Sequence, residues 1–136
     1  MPKPGVPRAI VNPWTWQDRF AFVHANVITA GRRVAYCAGQ TSTDADGNAL
    51  HKGDMAGQIQ QALANVETVL GEAEMGLSDV VRLNYYVTDV DAFLQAGQTL
   101  KAALTSAGCR PASTLLGVTR LASPDYLVEI EATAIG

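Results

Sequence analysis

The C-terminal segment alternates apolar and charged side chains with the two-residue period of a β-strand. The period predicts a strand over residues 126–135. Its apolar face consists of Val128, Ile130, Ala132 and Ala134. Glu129 and Glu131 lie on the opposite face, and they point to water, a partner chain or a pocket, because glutamate is rarely buried without a partner. A chain with this strand must bury the apolar face of the strand under other elements.

Similar patterns predict four further strands and two helices. The strands are predicted over residues 20–28, 34–38, 80–88 and 112–121. The first helix follows Asp54, a favourable N-cap, and Gly76 is placed to form its left-handed C-cap. The second helix is capped by Asp89 or Asp91 and ends at Gly108. The predicted order is therefore β-β-α-β-α-β-β.

Two amphipathic helices can cover one face of a single sheet, which predicts an α+β fold with one mixed sheet and two helices. The apolar stripe of the first helix is Ile59, Leu63, Val66 and Leu70, with Gln58, Gln61 and Asn65 mostly on its other side. In the third strand Val81, Leu83, Tyr85 and Val87 are predicted to share a face. The uncovered sheet face keeps Leu115, Tyr86 and part of the first hairpin. An apolar patch of this size indicates an oligomer.

The length, net charge and hydropathy of the chain limit the class of protein. A chain of 136 residues is the usual length of one domain, so we expect a single domain over residues 1–136 with an extended N-terminal arm over residues 1–12. The net charge of −3 and the pI of about 5.2 argue against a nucleic-acid-binding surface. No apolar run has the length of a membrane span or a signal peptide. We therefore expect a cytoplasmic protein with free thiols, which binds neither nucleic acid nor membrane.

Few residue types in the chain suggest chemistry by themselves. No His/Cys group has metal-ligand spacing and no Gly-rich phosphate loop occurs, so we expect neither a metal nor a cofactor. Cys37 is either a small buried hydrophobic residue or a nucleophile, and a nucleophile needs a nearby base such as His24 or His51. Trp14 and Trp16 either cover an edge of the core, wall a pocket, or bury against a neighbouring subunit.

Several runs resemble one known family. They are RPAST at residues 110–114, LGV at 116–118, LVEIEATA at 127–134, CAGQ at 37–40 and FVHA at 22–25. Together they closely resemble the Rid family, the YjgF/YER057c/UK114 proteins that are also called RidA-like or L-PSP. The resemblance extends from about Phe22 to Ile135. It implies a chorismate-mutase-like fold that assembles as a homotrimer, with a small-molecule pocket at each subunit junction.

The resemblance also implies which residues form the pocket. Well-understood members hydrolyse small imines and enamines, and the matching catalytic residue is Glu129, which is implied to hold the attacking water. The matching substrate-binding residues are Phe22, Cys37, Gly39, Ser113 and Leu115. Ser113 stands where these members carry an arginine that clamps the substrate carboxylate, so the clamp is missing here.

Other positions depart from the family pattern in the same direction. Ala38 replaces a serine, Phe22 a tyrosine, and Gly97 a frequent asparagine. Arg82, Arg110 or Arg120 is an alternative source of the missing charge. We therefore predict a RidA-like hydrolase of an imine or enamine other than the 2-aminoacrylate type. The alternatives are a trimer that binds a small metabolite without turnover and, less favoured by the charge, a ribonuclease or translation inhibitor.

Overall fold

The computed structural model describes residues 8–20, 22–30 and 32–136. Within them the strands are β1 (Ala9–Val11), β2 (Ala25–Ala30), β3 (Arg32–Cys37), β4 (Val80–Val87), β5 (Ala112–Gly117) and β6 (Val128–Ile135). The helices are α1 (Met55–Glu72), α2 (Val90–Gln95) and α3 (Gly97–Ser106). The six strands form one sheet in the order β1-β2-β3-β6-β4-β5, with β4 and β5 parallel and the other pairs antiparallel. The predicted α+β fold with one mixed sheet is confirmed. None of the helices in these three ranges is long and apolar enough to span a membrane.

Strand β6 lies at the centre of the sheet, between β3 and β4. The residues predicted for its apolar face are all fully buried: Val128, Ile130, Ala132 and Ala134. Helix α1 packs across this face with its predicted stripe, Ile59, Leu63, Val66 and Leu70. Burying one large aliphatic side chain contributes about 1.5–3 kcal/mol. The several such side chains between α1 and β6 therefore make this contact a main source of the stability of the fold.

Helix α1 begins as predicted, with the Asp54 carboxylate accepting a hydrogen bond from the Gly57 N–H at 3.0 Å. The prediction that Gly76 forms its C-cap is wrong. The helix ends at Glu72, Glu74 takes the left-handed conformation with φ of 59°, and Gly76 is extended. The Met75 N–H donates to the Leu70 carbonyl at 2.9 Å, which is the bond of a Schellman motif. A glutamate thus occupies a position that favours glycine.

Two polar residues assigned to the outer side of α1 are buried instead. Gln58 donates from Nε2 to the carbonyls of Asp125 (2.9 Å) and His51 (3.2 Å), and its Oε1 accepts the Leu127 N–H at 2.8 Å. Asn65 donates from Nδ2 to the carbonyls of residues 41 and 43 at 2.9 and 3.0 Å. Both side chains satisfy backbone groups of the loops that cover the end of the sheet, and periodicity alone does not reveal such partners.

The third predicted strand is interrupted by an irregularity. The pairing of β4 with β6 shifts register between Val80 and Arg82, so Val81 leaves the face of Leu83 and is 45% exposed. The second predicted helix is divided at Ala96, next to Gly97, a residue type that costs roughly 1 kcal/mol in a helix interior.

The structure also defines the predicted start and end of the second helix and the end of the fourth predicted strand. Asp89 is the cap of α2, because its carboxylate accepts the Ala92 N–H at 3.0 Å. The second predicted helix ends next to Gly108, as predicted, and Gly108 has a positive φ. Strand β5 stops at Gly117 rather than at residue 121.

The N-terminal part differs from its prediction in two ways. The predicted strand over residues 20–28 begins only at Ala25, because Trp16–Phe20 form a 3-10 turn. Within the predicted arm, Ala9–Val11 form β1, which pairs with β2, whereas residues 1–7 lie outside the described residues. Residue 31, in the predicted β2–β3 turn, also lies outside them.

The sheet face opposite the helices stays uncovered in the single chain. It carries Ile10, Tyr36 and Leu116, which are 59%, 51% and 50% exposed. The prediction that Leu115 lies on this face is wrong: it is in register with buried Tyr85 and packs against the core on the helix side.

We expect Gln58→Ala to lower the stability by about 2–3 kcal/mol, because it leaves three backbone groups, whose hydrogen bonds to Gln58 are partly buried, without their partner. The matched control is Gln60→Ala on the exposed side of the same helix, which we expect to change stability by less than about 0.5 kcal/mol. Urea unfolding at one fixed protein concentration measures both. Equal effects of the two substitutions would contradict the bonding role of Gln58.

Candidate functional site

Two neighbouring carboxylates on the uncovered face of β6 have different surroundings. Glu131 accepts hydrogen bonds from Asn84 Nδ2 at 3.0 Å and from the Tyr86 hydroxyl at 3.1 Å. Glu129 is partly buried, yet no hydrogen bond or ion pair to its carboxylate is found among the described residues. Glu131 is thus a bonded structural group, whereas Glu129 is available to a ligand.

Burial raises the pKa of the Glu129 carboxyl above its ordinary value of 4.5, and the charge of Glu131 raises it further. A carboxylate whose pKa moves towards neutrality is a better proton acceptor in general base catalysis. Burial therefore accounts for most of the raised pKa of Glu129, and no cation among the described residues offsets it.

Gly39 is placed directly against this carboxylate. A Cβ at position 39 would overlap the carboxylate of Glu129, so a glycine is required for this close approach. The next residue fixes the segment, because Gln40 and Ile130 exchange two backbone hydrogen bonds of 2.8 Å. The CAGQ run therefore serves to bring backbone and carboxylate together.

A cavity of about 390 Å³ opens over Glu129. Its lining residues are Trp16, Phe22, Gly39, Thr41, Ala122, Ser123, Tyr126 and Glu129. The structure thus brings together three of the six predicted site residues. Thr41, Ser123 and Tyr126 were not predicted, although the Pro124 turn next to the glutamate strand is a signal for the last two.

Aromatic and imidazole rings form and support one wall of this cavity. The ring centroids of Trp16 and Phe22 are 5.8 Å apart, with their planes 73° from each other. Behind them His24 is fully buried and contacts the rings of Trp14 and Trp16 at 4.9 and 5.1 Å. Of the predicted alternatives, Trp16 lines a pocket and Trp14 packs against the core.

The contacts of the buried His24 are those of a structural residue. Its Nδ1 lies 3.0 Å from Gln40 Nε2, which as an amide N–H donates to it, so the neutral ring carries its proton on Nε2. Burial lowers the pKa of His24. A neutral ring among aromatic neighbours supports Trp16 and lies behind the cavity wall.

The remaining predicted site residues lie elsewhere in the chain. Cys37 is buried on the helix side of β3, where burial raises the pKa of its thiol to about 11. A thiol with that pKa is protonated at neutral pH, which argues against a nucleophilic role. Ser113 and Leu115 are on β5, in register with the buried face of β4. Two strand spacings, roughly 10 Å, separate β5 from β6.

A second cavity, of about 490 Å³, lies beside Ser113. It is lined by Tyr85, Gly97, Leu100, Lys101, Leu104, Thr105, Cys109, Arg110, Pro111 and Ser113. Two residues that the family pattern singled out, Ser113 and Gly97, thus share a cavity that is separate from Glu129. Of the three arginines considered as replacements, Arg110 lines this cavity, while Arg82 and Arg120 line neither.

The described residues contain no cluster of three or more His, Cys, Asp or Glu side chains that is placed to hold a metal ion. The residues that line the Glu129 cavity carry one carboxylate, three hydroxyls and the indole N–H of Trp16, besides backbone groups. This set suits the binding of a small organic molecule and the activation of a water molecule.

Known proteins with similar sequences fall into one family. The family model described as Endoribonuclease L-PSP matches residues 18–136. A RutC family protein of Pyrococcus horikoshii is 31% identical over 111 residues, which cover 82% of this chain and 85% of the relative. A 2-iminobutanoate/2-iminopropanoate deaminase of Escherichia coli is 32% identical over 83 residues, which cover 60% of this chain and 64% of that protein.

Solved structures lead to the same group. The crystal structure of a YjgF/YER057c/UK114 family member from Mycobacterium tuberculosis matches with a TM-score of 0.77 and 31% identity, covering 94% of this chain and 98% of that chain. The YjgF gene product of Escherichia coli matches with a TM-score of 0.73 and 28% identity, covering 84% and 87%. Since the family model spans nearly the whole chain, the protein belongs to the Endoribonuclease L-PSP family, the YjgF/YER057c/UK114 group that its C-terminal motif predicted.

Proposed function

We propose that this protein hydrolyses a small imine or enamine, with Glu129 as the group that activates water. The observation that carries the proposal is the partly buried carboxylate of Glu129, which lines a cavity and has no hydrogen-bond or ion-pair partner among the described residues. Two features support it: the glycine that lets backbone and carboxylate meet, and the similarity to a relative named as a 2-iminobutanoate/2-iminopropanoate deaminase.

In this mechanism, one oxygen of the Glu129 carboxylate accepts a proton from water while the water oxygen forms a bond to the imine carbon. The proton then passes to the nitrogen of the tetrahedral intermediate. The hydroxyl proton of the intermediate then passes to the nitrogen through the same carboxylate, the C–N bond breaks, the nitrogen leaves as ammonia or an amine, and the carbon becomes a carbonyl. An enamine enters this route after a proton shifts from its nitrogen to its β-carbon, which converts it to the imine. The raised pKa of Glu129 favours the first transfer. The step consumes one water and needs no oxidant or reductant.

We further propose that the complete site forms between subunits of a homotrimer. Within one chain Phe22, Gly39 and Glu129 line one cavity, and Ser113 lines another. An uncovered sheet face with exposed Ile10, Tyr36 and Leu116 provides the contact surface. Assembly would place the Ser113 region of one subunit beside the Glu129 cavity of the next and so unite the two groups.

The substrate we propose is not of the 2-aminoacrylate type. Ser113 provides neither the charge nor the two parallel donors with which an arginine holds a carboxylate. Ala38, Phe22 and Gly97 remove further polar groups from the family pattern. Arg110 is the arginine best placed to act beside Ser113, since both line the same cavity.

A trimer that binds a metabolite without turnover is the second candidate, and the loss of these polar groups favours it. A ribonuclease is less consistent with the net charge of −3 and with a cavity whose ionised group is a carboxylate. A cytoplasmic location stays a prediction.

For the homotrimer, light scattering at micromolar concentration should give three times the chain mass of 14.4 kDa. Tyr36→Asp should dissociate the assembly, because it places a charge on the uncovered face. Leu94→Asp is the matched control, on the exposed side of α2. A monomeric wild-type protein would contradict the proposal.

For the role of Glu129, we expect Glu129→Gln to lower turnover of an accepted imine by about a hundredfold or more, while melting temperature and mass stay unchanged. Ammonia release measures turnover, and Glu72→Gln on the surface of α1 is the control. In the wild type, turnover should fall on the acid side as Glu129 takes up a proton, with a midpoint above 4.5 because its pKa is raised. Loss of assembly in Glu129→Gln before any loss of turnover would instead mark a structural residue.

For substrate choice, a coupled dehydratase assay should show little hydrolysis of the 2-aminoacrylate-type imines formed from serine or threonine. Each charge-assisted hydrogen bond contributes roughly 1.5–3 kcal/mol, and the two bonds of an arginine clamp are absent at Ser113. Turnover equal to that of an arginine-bearing family member would refute this expectation and would indicate that Arg110 supplies the charge.

A further inference from the structure

We propose that the Glu129 cavity selects a small planar cation without a carboxylate group, such as a protonated imine or an amidinium. This inference rests on the proposed role of the cavity as the ligand site, and it adds the charge and shape of the ligand. It follows from the charges and rings that line the cavity.

The cavity has a negative group without a countercharge. Of the eight residues that line it, Glu129 is the one with an acidic side chain, and none is Lys, Arg or His. Glu131, on the same strand face, adds a second negative charge nearby. A cation entering the cavity would pair with Glu129, whereas a carboxylate would be repelled by both glutamates.

The walls of the cavity suit a flat cationic group. Trp16, Phe22 and Tyr126 line it, and the first two rings meet nearly at a right angle, so they form an aromatic corner. Aromatic faces attract cations, and Trp and Tyr do so better than Phe. A carboxylate opposite an aromatic corner therefore provides a charge-assisted acceptor for N–H groups together with faces for a planar ligand.

The support behind Trp16 makes this corner rigid. Gly47 has a positive φ and faces the indole, and a Cβ there would lie 2.9 Å from Trp16 Cγ. His24 contacts the same indole and is held by Gln40. A wall that is fixed before binding loses little side-chain freedom when the ligand arrives.

The opposite preference, for a carboxylate, would need a positive group at the site. The candidates beside Ser113 are Lys101 and Arg110, and both line the second cavity rather than this one. The proposed assembly brings the two cavities near each other, so ligand charge is the property that separates the two possibilities experimentally.

The test uses three probes of nearly the same shape and different charge: benzamidinium, benzamide and benzoate. Calorimetric titration of the full-length protein at neutral pH should give the tightest binding for benzamidinium. It should exceed benzoate by at least about tenfold, which corresponds to roughly 1.4 kcal/mol of discrimination. Glu129→Gln should abolish this preference, and the surface control Glu72→Gln should keep it.

Tighter binding of benzoate than of benzamidinium, or no binding of any of the three at millimolar concentration, would overturn the inference. So would a benzamidinium preference that survives in Glu129→Gln. Hydrolysis of carboxylated imines that depends on Glu129 would overturn this inference and leave the proposed role of Glu129 in imine hydrolysis standing. Glu129-dependent binding of benzamidinium without hydrolysis of any imine would leave this inference standing and overturn the proposed hydrolase activity.

Discussion

The central strand β6 imposes the constraint on which the rest of the molecule depends. Its side chains alternate, so the four apolar residues that fix it under α1 also force Glu129 and Glu131 onto the other face. A shift of one residue would bury both carboxylates in the core and expose the four apolar side chains. The burial that holds the helices to the sheet therefore also determines which way the candidate functional carboxylate points.

Glu129 differs from Glu131 because of its neighbours rather than its position in the pattern. Asn84 and Tyr86 on β4 satisfy Glu131, whereas Glu129 lies against the Gly39 backbone and faces a cavity. The loop that leads into β6 forms another wall, and Gln58 of α1 holds this loop through both sides of its amide. The core helix, the loop and the site are thus connected by hydrogen bonds of the Gln58 side chain to backbone groups of the loop.

Much of the fold was predictable from the sequence because burial periodicity is local information. The two faces of β6, the stripe of α1, the Asp54 cap and the family membership were all predicted. The Schellman turn at Glu74 was not, since a glutamate seldom takes that conformation. Neither was the buried state of Gln58, whose partners lie far along the chain.

The candidate site was predictable only in part, for a related reason. The motif identified Phe22, Gly39 and Glu129, which the structure brings together around one cavity. It also pointed to Ser113 and Leu115, which lie on β5 with β4 between them and β6. A motif records which residues occur together in a family, but it does not record which subunit provides each of them. Tyr126 was not predicted, because its place in the cavity lining depends on the path of a loop.

The claim that Glu129 is an unpaired carboxylate kept for a ligand is tested most directly by measuring its own titration. In protein labelled with ¹³C at the glutamate carboxyl, NMR should show one carboxyl with a pKa above 4.5 that is missing from the spectrum of Glu129→Gln. Saturating benzamidinium should lower that pKa, because a bound cation favours the ionised form. A pKa at or below 4.5 in the free protein, unchanged by the cation, would show that Glu129 is already paired within the protein and would contradict the account.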